Sequence, residues 1–325
     1  MTSYNHAAEI GVAIESVLRQ SWTDWELVIV DDNSTDNSWD VITSYSDRRI
    51  VQIRRLENGG GSAAYNEALR ASTGQVIFTL DCDDAYPESK LEAQLSMMSK
   101  NPEFGIVGTH IATPFNDPND ASAKAVREWF NTSSDLNSPD CWIWQNRLVH
   151  SSVAVTREVH EQIGEARADL TRTPDWDLWL RAVASGVKIA VIPEALTFYR
   201  VQAGSVTHAD PTGTTTEYLS VSSEYWHRYL RSIGRGDLVA ENICEAVMRV
   251  ARSATEDQRR IRPQLAEMIR AEPEAIDACM RIATEAAATL EAKHWLEDQW
   301  RRQEARADKL QIRLDRIGAK ASKHP

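Results

Sequence analysis

Cysteine is sparse in this 325-residue chain, and its four examples, Cys82, Cys141, Cys244 and Cys279, stand far apart without a C-x-x-C pair. That spacing supports neither a zinc framework nor a disulfide scaffold, so reduced thiols are expected. Long apolar runs are also missing. No stretch reaches the ~18 residues of a membrane-spanning helix, and the N-terminus has no basic-then-apolar leader. These absences predict a cytoplasmic protein, free in solution or peripheral at the inner face of the membrane. Positive charge is in deficit: 36 Lys and Arg face 48 Asp and Glu, a formal net charge of −12. Such a surface repels nucleic acid, and an anionic ligand would need a cation, helix termini or a few basic side chains beside it.

What is present has a regular rhythm. The segments 26–32 (ELVIVDD), 49–55, 75–81 (QVIFTLD), 104–111, 151–155 and 187–192 read as strands. Helical spacing occupies 7–20, 35–46, 62–71, 87–99 and 175–185. Continuous apolar strands alternating with helices predict an α/β fold, a mostly parallel, mixed sheet covered on both faces. Ligands of such sheets bind beyond the carboxyl ends of strands, where both acidic clusters, Asp31-Asp32 and Asp81 to Asp84, stand. After residue 213 the strand signals stop, predicting a first domain over 1–213 and an α-helical extension over 214–325. Within 293–318, Leu296, Trp300, Gln303, Ala307, Leu310, Leu314 and Ile317 follow alternating 4-3 spacing, which suits either a packed amphipathic helix or a coiled-coil homodimer.

Four acidic residues could carry chemistry. Asp81 and Asp83, one residue apart past a strand, can both turn toward a hard cation such as Mg²⁺ or Mn²⁺ shared with a diphosphate. One aspartate would suffice to cap the helix that follows; three exceed what a cap requires. Asp32 could accept a hydrogen bond from a ring N–H of a pyrimidine, although taken alone the loop reads better as a helix start, with Asn33, Ser34 or Thr35 as cap. Asp175 could act as a general base, yet Pro174 and Asp175 are also what any first helical turn prefers. The glycines of "ENGGGSAAYNEAL" offer main-chain N–H groups, but the segment is not a P-loop, and a flexible turn with Ser62 as cap is the simpler reading. The tryptophans at 129, 142, 144, 176 and 179 read mainly as core. His150, His160 and His208 lack ligand spacing.

Taken in order, these segments resemble family-2 inverting glycosyltransferases of the nucleotide-sugar-binding A-type fold. "MTSYNHAAEIGVAIESVLRQSWTDWELVIVDDNSTD" is similar to the family's opening and "FTLDCDDAYPESKL" to its D-x-D loop. "HSSVAVTREVHEQIG", "PDWDLWLRAVASG" and "FYRVQAGSVTH" are similar to its acceptor-side segments. The resemblance covers about residues 1–208. It implies that Thr2 and Tyr4 border the base pocket, Asp32 binds the base, and Asp83 with Asp81 holds Mn²⁺ or Mg²⁺. Asp175 would be the catalytic base, with Arg200 and Arg181 on the diphosphate or acceptor wall. The implied reaction is inverting transfer from a nucleoside-diphosphate sugar, UDP- or dTDP-linked, to a hydroxyl of a saccharide, lipid-linked or protein acceptor in surface polysaccharide or glycoconjugate assembly. Relatives carry Arg where this chain has Tyr65, and His near Gln202 and Ser205. The family's first strand has no counterpart ahead of "TSYN", so an absent strand is expected. The alternative is a non-catalytic transferase-fold scaffold oligomerising through its C-terminal helix.

Overall fold

Strand Leu27–Asp31 is buried at every position, which demands cover on both faces. The period of two supplies it. Leu27 and Ile29 pack with Ile10, Ile14, Val17 and Ile42, while Val28 and Val30 pack on the opposite face with Ala64 and Ala68. Fully burying one such side chain contributes roughly 1.5–3 kcal/mol, so this strand anchors both layers.

The computed structural model describes residues 1–131, 135–143, 146–202, 210–252, 261, 264–269 and 271–272. Trp144, Ser205, His208 and the 293–318 heptads lie outside them. The chain divides into two compact units, Met1–Pro211 and Thr212–Pro325. In the first, the strands are β1 (Thr2–Ser3), β2 (Leu27–Asp31), β3 (Ile50–Arg54), β4 (Val76–Phe78), β5 (Phe104–Ala112), β6 (Ala154–Thr156) and β7 (Lys188–Phe198). Its helices are α1 (Ile10–Leu18), α2 (Ser38–Thr43), α3 (Gly61–Ala71), α4 (Lys90–Lys100), α5 (Ala121–Phe130), α6 (Arg157–Ile163) and α7 (Pro174–Ala184). The fold is mixed α/β: β1, β2 and β3 form a parallel sheet, and β4-β6-β5-β7 form a second in which β6 runs against both neighbours. Because β4, β5 and β7 share a direction, residues entering β6 meet residues leaving β4 and β7 at one edge. That edge carries the acidic clusters.

Two expectations are corrected here. A strand does stand before the first helix: Thr2 and Ser3 pair with Val30 and Asp31, and Thr2 bridges to Asp81. It is two residues long, too short to span the space between β2 and β4. A cavity of about 550 Å³ remains there, lined by Met1, Leu27, Val28, Val76, Phe78 and Leu91 among others. Reduced thiols throughout were also expected; Cys82 and Cys141 are free, but Cys244 is disulfide-bonded.

The described part of the second unit is helical. Pro211–Val221 (α8) leads into a π-turn at Ser222–Trp226, then His227–Ser232 (α9) and Gly236–Arg252 (α10). Trp226, Leu230, Ile243, Val247 and Leu265 are buried there. Among the described residues no helix is long and apolar enough to cross a membrane.

Candidate active site

The carboxyl ends of β2 and β4 bring two acidic clusters to one rim. The N-terminal loop is clamped to the loop after β2. Asn5 takes a left-handed backbone at φ 58°; its side chain accepts Thr35 N–H at 2.8 Å, and Ala7 N–H reaches Asp36 at 3.0 Å. The "SYNH" and "DDNSTD" segments are therefore one braced unit. Thr2 lies between β2 and Asp81, and Tyr4 is 45% exposed beside it.

Asp32 is buried, and its carboxylate accepts bonds from Arg55, Gly59 N–H at 3.0 Å and Gly60 N–H at 2.7 Å. The glycine turn thus gives its N–H groups to Asp32. Gly60 sits at φ 85°, a conformation that glycine adopts at little cost. Ser62 does not cap α3; its hydroxyl donates to Leu170 O at 3.0 Å. Oδ1 of Asp32 takes two of these bonds and Oδ2 one, so Oδ2 keeps a lone pair for a further donor.

Past β4, three carboxylates crowd a small space. Asp81 Oδ1 lies 3.1 Å from His150 Nδ1, and Asp81 N–H donates to Ser151 Oγ at 3.0 Å. Burial pushes the Asp81 carboxyl up, but the charge and hydrogen bond of His150 outweigh it and hold the group below its usual range. Asp83 goes the other way, raised by burial and by the charge of Asp81. Asp84 is raised further by burial and both neighbours. Its Oδ1 accepts Arg200 N–H at 2.9 Å, while its buried Oδ2 has no hydrogen-bond partner. Arg200 Nε donates to Asp83 O at 3.1 Å, its guanidinium lies 4.1 Å over the Phe115 ring, and Gln202 Nε2 donates to Asp83 Oδ2 at 3.0 Å. Beneath this corner the wholly buried Lys90 donates to Ser152 O and Thr197 Oγ1, each at 3.0 Å.

Among the described residues no three His, Cys, Asp or Glu side chains could hold a metal by themselves. Two carboxylates with raised or contested proton affinity and an orphaned buried oxygen still fit a hard cation. Mg²⁺ and Mn²⁺ sites of this kind draw on one or two carboxylates, with water and substrate phosphate completing the set.

Asp175 occupies the first turn of α7, placed by Pro174 at its start. Its Oδ1 accepts the Trp176 N–H at 2.8 Å and its Oδ2 accepts Asn146 Nδ2 at 2.6 Å. Burial raises this carboxyl above its ordinary value, against the opposing charge of His150. His150 itself is raised: burial lowers it, but the charges of Asp81 and Asp175 on either side prevail. Both aspartates therefore act electrostatically on one imidazole. Arg181, expected on the diphosphate or acceptor wall, is engaged by protein groups. It pairs with the buried Asp177 and donates to Ile163 O and Glu165 O, which makes it a brace of α7 against α6.

A match to the model of Glycosyl transferase family 2 spans residues 1–164. The chain belongs to that family. The transferase is 30% identical over 256 residues to an uncharacterized glycosyltransferase of Nostoc sp., covering 73% of this chain and 76% of that one. It is 28% identical over 208 residues to the Escherichia coli UDP-Glc:alpha-D-GlcNAc-diphosphoundecaprenol beta-1,3-glucosyltransferase WfaP, covering 63% and 77%. It is 30% identical over 210 residues to the putative teichuronic acid biosynthesis glycosyltransferase TuaG of Bacillus subtilis, covering 63% and 78%. Among solved structures, S. aureus TarS 1-349 in complex with UDP-GlcNAc superposes with a TM-score of 0.66 at 16% identity, covering 93% of this chain and 90% of that one. The transferase thus has the A-type fold of nucleotide-sugar glycosyltransferases.

Sequence reasoning missed His150, Asn146 and Lys90. None had a motif: His150 has no ligand spacing, and Asn146 sits in a loop. Tyr65 is buried, its ring centroid 5.3 Å from that of His150 and its hydroxyl 3.5 Å from His160 Nε2. Of the tryptophans read as core, Trp142, Trp176 and Trp179 are fully buried, whereas Trp129 remains 38% exposed.

Proposed function

We propose that this transferase moves a sugar from a nucleoside-diphosphate sugar, with UDP or dTDP as the carrier, to an acceptor hydroxyl, inverting the anomeric carbon. The acceptor would be a saccharide or lipid-linked chain in surface polysaccharide or glycoconjugate assembly. The names of WfaP and TuaG support that setting. One observation carries the reading: Asp175 and Asp81 lie within electrostatic reach of the same ring, His150. Asp81 Oδ1 is 3.1 Å from the ring's Nδ1, which supports reading the proton acceptor and the metal-binding carboxylate as parts of one site.

In this mechanism Asp32, with Thr2 and Tyr4 beside it, receives the base. Arg200, whose Nε donates to Asp83 O, would meet the diphosphate. A divalent cation held by Asp83 and Asp81, when bound, would neutralise phosphate charge and stabilise the departing nucleoside diphosphate. Asp175 takes the proton of the acceptor hydroxyl as that oxygen attacks, and burial, which raises its carboxyl, makes it a stronger base than a free aspartate.

A thermal-shift series with UDP-, dTDP- and GDP-sugars, with and without Mn²⁺, tests the donor. One carrier should raise the melting temperature in a metal-dependent way, and Asp83→Asn should abolish the metal dependence. Asp175→Asn should keep that shift while cutting turnover by about 10²-fold or more. Silence with every nucleotide would overturn the reading. The scaffold alternative draws no support from the described residues, since the segment it needs lies outside them.

A further inference from the structure

Asn146 is held at three points. Its main-chain carbonyl accepts the indole N–H of Trp129, from the last turn of α5, at 3.1 Å. Its side-chain Oδ1 accepts the Leu148 N–H at 3.0 Å. Its Nδ2 donates to Asp175 Oδ2 at 2.6 Å. The second bond decides which way the amide faces. A main-chain N–H can only donate, so the amide oxygen must face Leu148, and the NH₂ group must face Asp175. The third bond is then a short donation to a carboxylate, the stronger kind of hydrogen bond.

The consequence for Asp175 is geometric. With Trp176 N–H on Oδ1 and Asn146 on Oδ2, rotation of the carboxylate is fixed, and each oxygen keeps a lone pair free. Four residues further along the same loop, His150 grips Asp81, and Ser151 accepts the Asp81 N–H. The segment from 146 to 151 therefore touches both carboxylates that the proposed reaction requires.

We infer that Asn146 is the positioning residue of Asp175: it locks the carboxylate's orientation and favours its ionised form, so that the base stands ready for the acceptor hydroxyl. This rests on the reading of Asp175 as the base. The other groups acting on Asp175 are His150, which favours its ionised form, and Asp81, which opposes it; Tyr199, after β7, is near enough for Asp175 to raise its phenol. None of them donates a hydrogen bond to Oδ2. Loss of Asn146 would leave a buried carboxylate with one donor, its own neighbour in α7.

The test reads Asp175 directly. In metal-free, full-length protein with ¹³C-labelled aspartate, the Asp175 carboxyl is assigned by its disappearance in Asp175→Asn and titrated by NMR. Asn146→Ala should move its midpoint up by about one pH unit, because a donor to the charged form is gone. Asn146→Asp keeps the shape and places a second carboxyl there, and should move the midpoint further up. UDP release from UDP-glucose or UDP-N-acetylglucosamine, with water as acceptor, should show the same displacement of the acid limb, with kcat lowered and donor KM unchanged. If the midpoint stays at its wild-type position in both variants, or if donor KM rises while the acid limb stays put, the inference is overturned. Full turnover by Asp175→Asn would instead sink the base assignment, whatever the Asn146 variants do to the titration.

Discussion

Asp175 and Gly105 show how much depends on single atoms. Burial holds the Asp175 proton more tightly than a free aspartate would, and a base works only when ionised. Transfer activity should therefore rise with pH along an acid limb lying above the ordinary aspartate range near 4. A pH–rate profile of kcat/KM checks this, and a limb at or below that range would contradict the buried-base account. At Gly105, a Cβ would lie 2.5 Å from Val159 Cγ2 and 3.0 Å from Val187 Cγ1. Both neighbours are stiff β-branched side chains, so Gly105→Ala should cost about 1–3 kcal/mol of stability by overpacking. Urea denaturation measures that directly. Nothing in the sequence marked this glycine; its role comes from α6 packing against β5.

Among the elements, the short β1 matters most. Val28 O accepts the terminal ammonium of Met1 at 2.8 Å, and burial lowers that group to about 6. On the other wall, Gln75 and Thr79 bond toward β6. By strand alternation, Val76 and Phe78 turn their main-chain groups the other way, into the cavity. A space with largely apolar walls between β2 and β4, which the two-residue β1 leaves unfilled, should accept a longer strand. Adding five residues of alternating Val and Ile ahead of Met1 should fill it, replace a buried terminal amine with a peptide bond and raise the melting temperature by roughly 4–8 °C, the effect of about 2 kcal/mol. A Gly-Ser extension of the same length should not. If both behave alike, the cavity is not a strand site. Helix α7 is the second informative element. Pro174 and Asp175 read as ordinary first-turn residues, and Asp177 in the same turn, which the sequence did not single out, pairs with Arg181.

The two units each bury a neutral histidine. Burial lowers His160 to about 4, and His227, whose Nε2 lies 2.8 Å from Asn242 Oδ1, likewise to about 4. Unfolded, both titrate near 6.5, so between pH 6.5 and 4 the unfolded chain binds more protons and stability falls as pH falls. Each histidine should contribute about 3 kcal/mol to that loss, which levels off below pH 4. Thermal unfolding followed from pH 7 to 4 should show the decline; His160→Gln should blunt it in the first unit and His227→Gln in the second. A flat profile in wild type would contradict the burial argument.

The sequence by itself determined the α/β plan, because unbroken apolar runs such as LVIVD fold only where both faces are covered. It also determined that acidic loops follow β2 and β4, since strand and loop are adjacent in the chain. It did not determine which polar side chains meet those acids. His150 and Asn146 reach the rim because β6 runs against β4 and β5, and Gln202 because β7 runs parallel to β5; these pairings between distant segments leave no local pattern. Arg181 shows the converse: its place in a motif suggested a ligand contact, and packing of α7 on α6 turned it into a brace. Local chemistry is written in neighbouring residues, whereas the direction of a strand is decided by the sheet it joins.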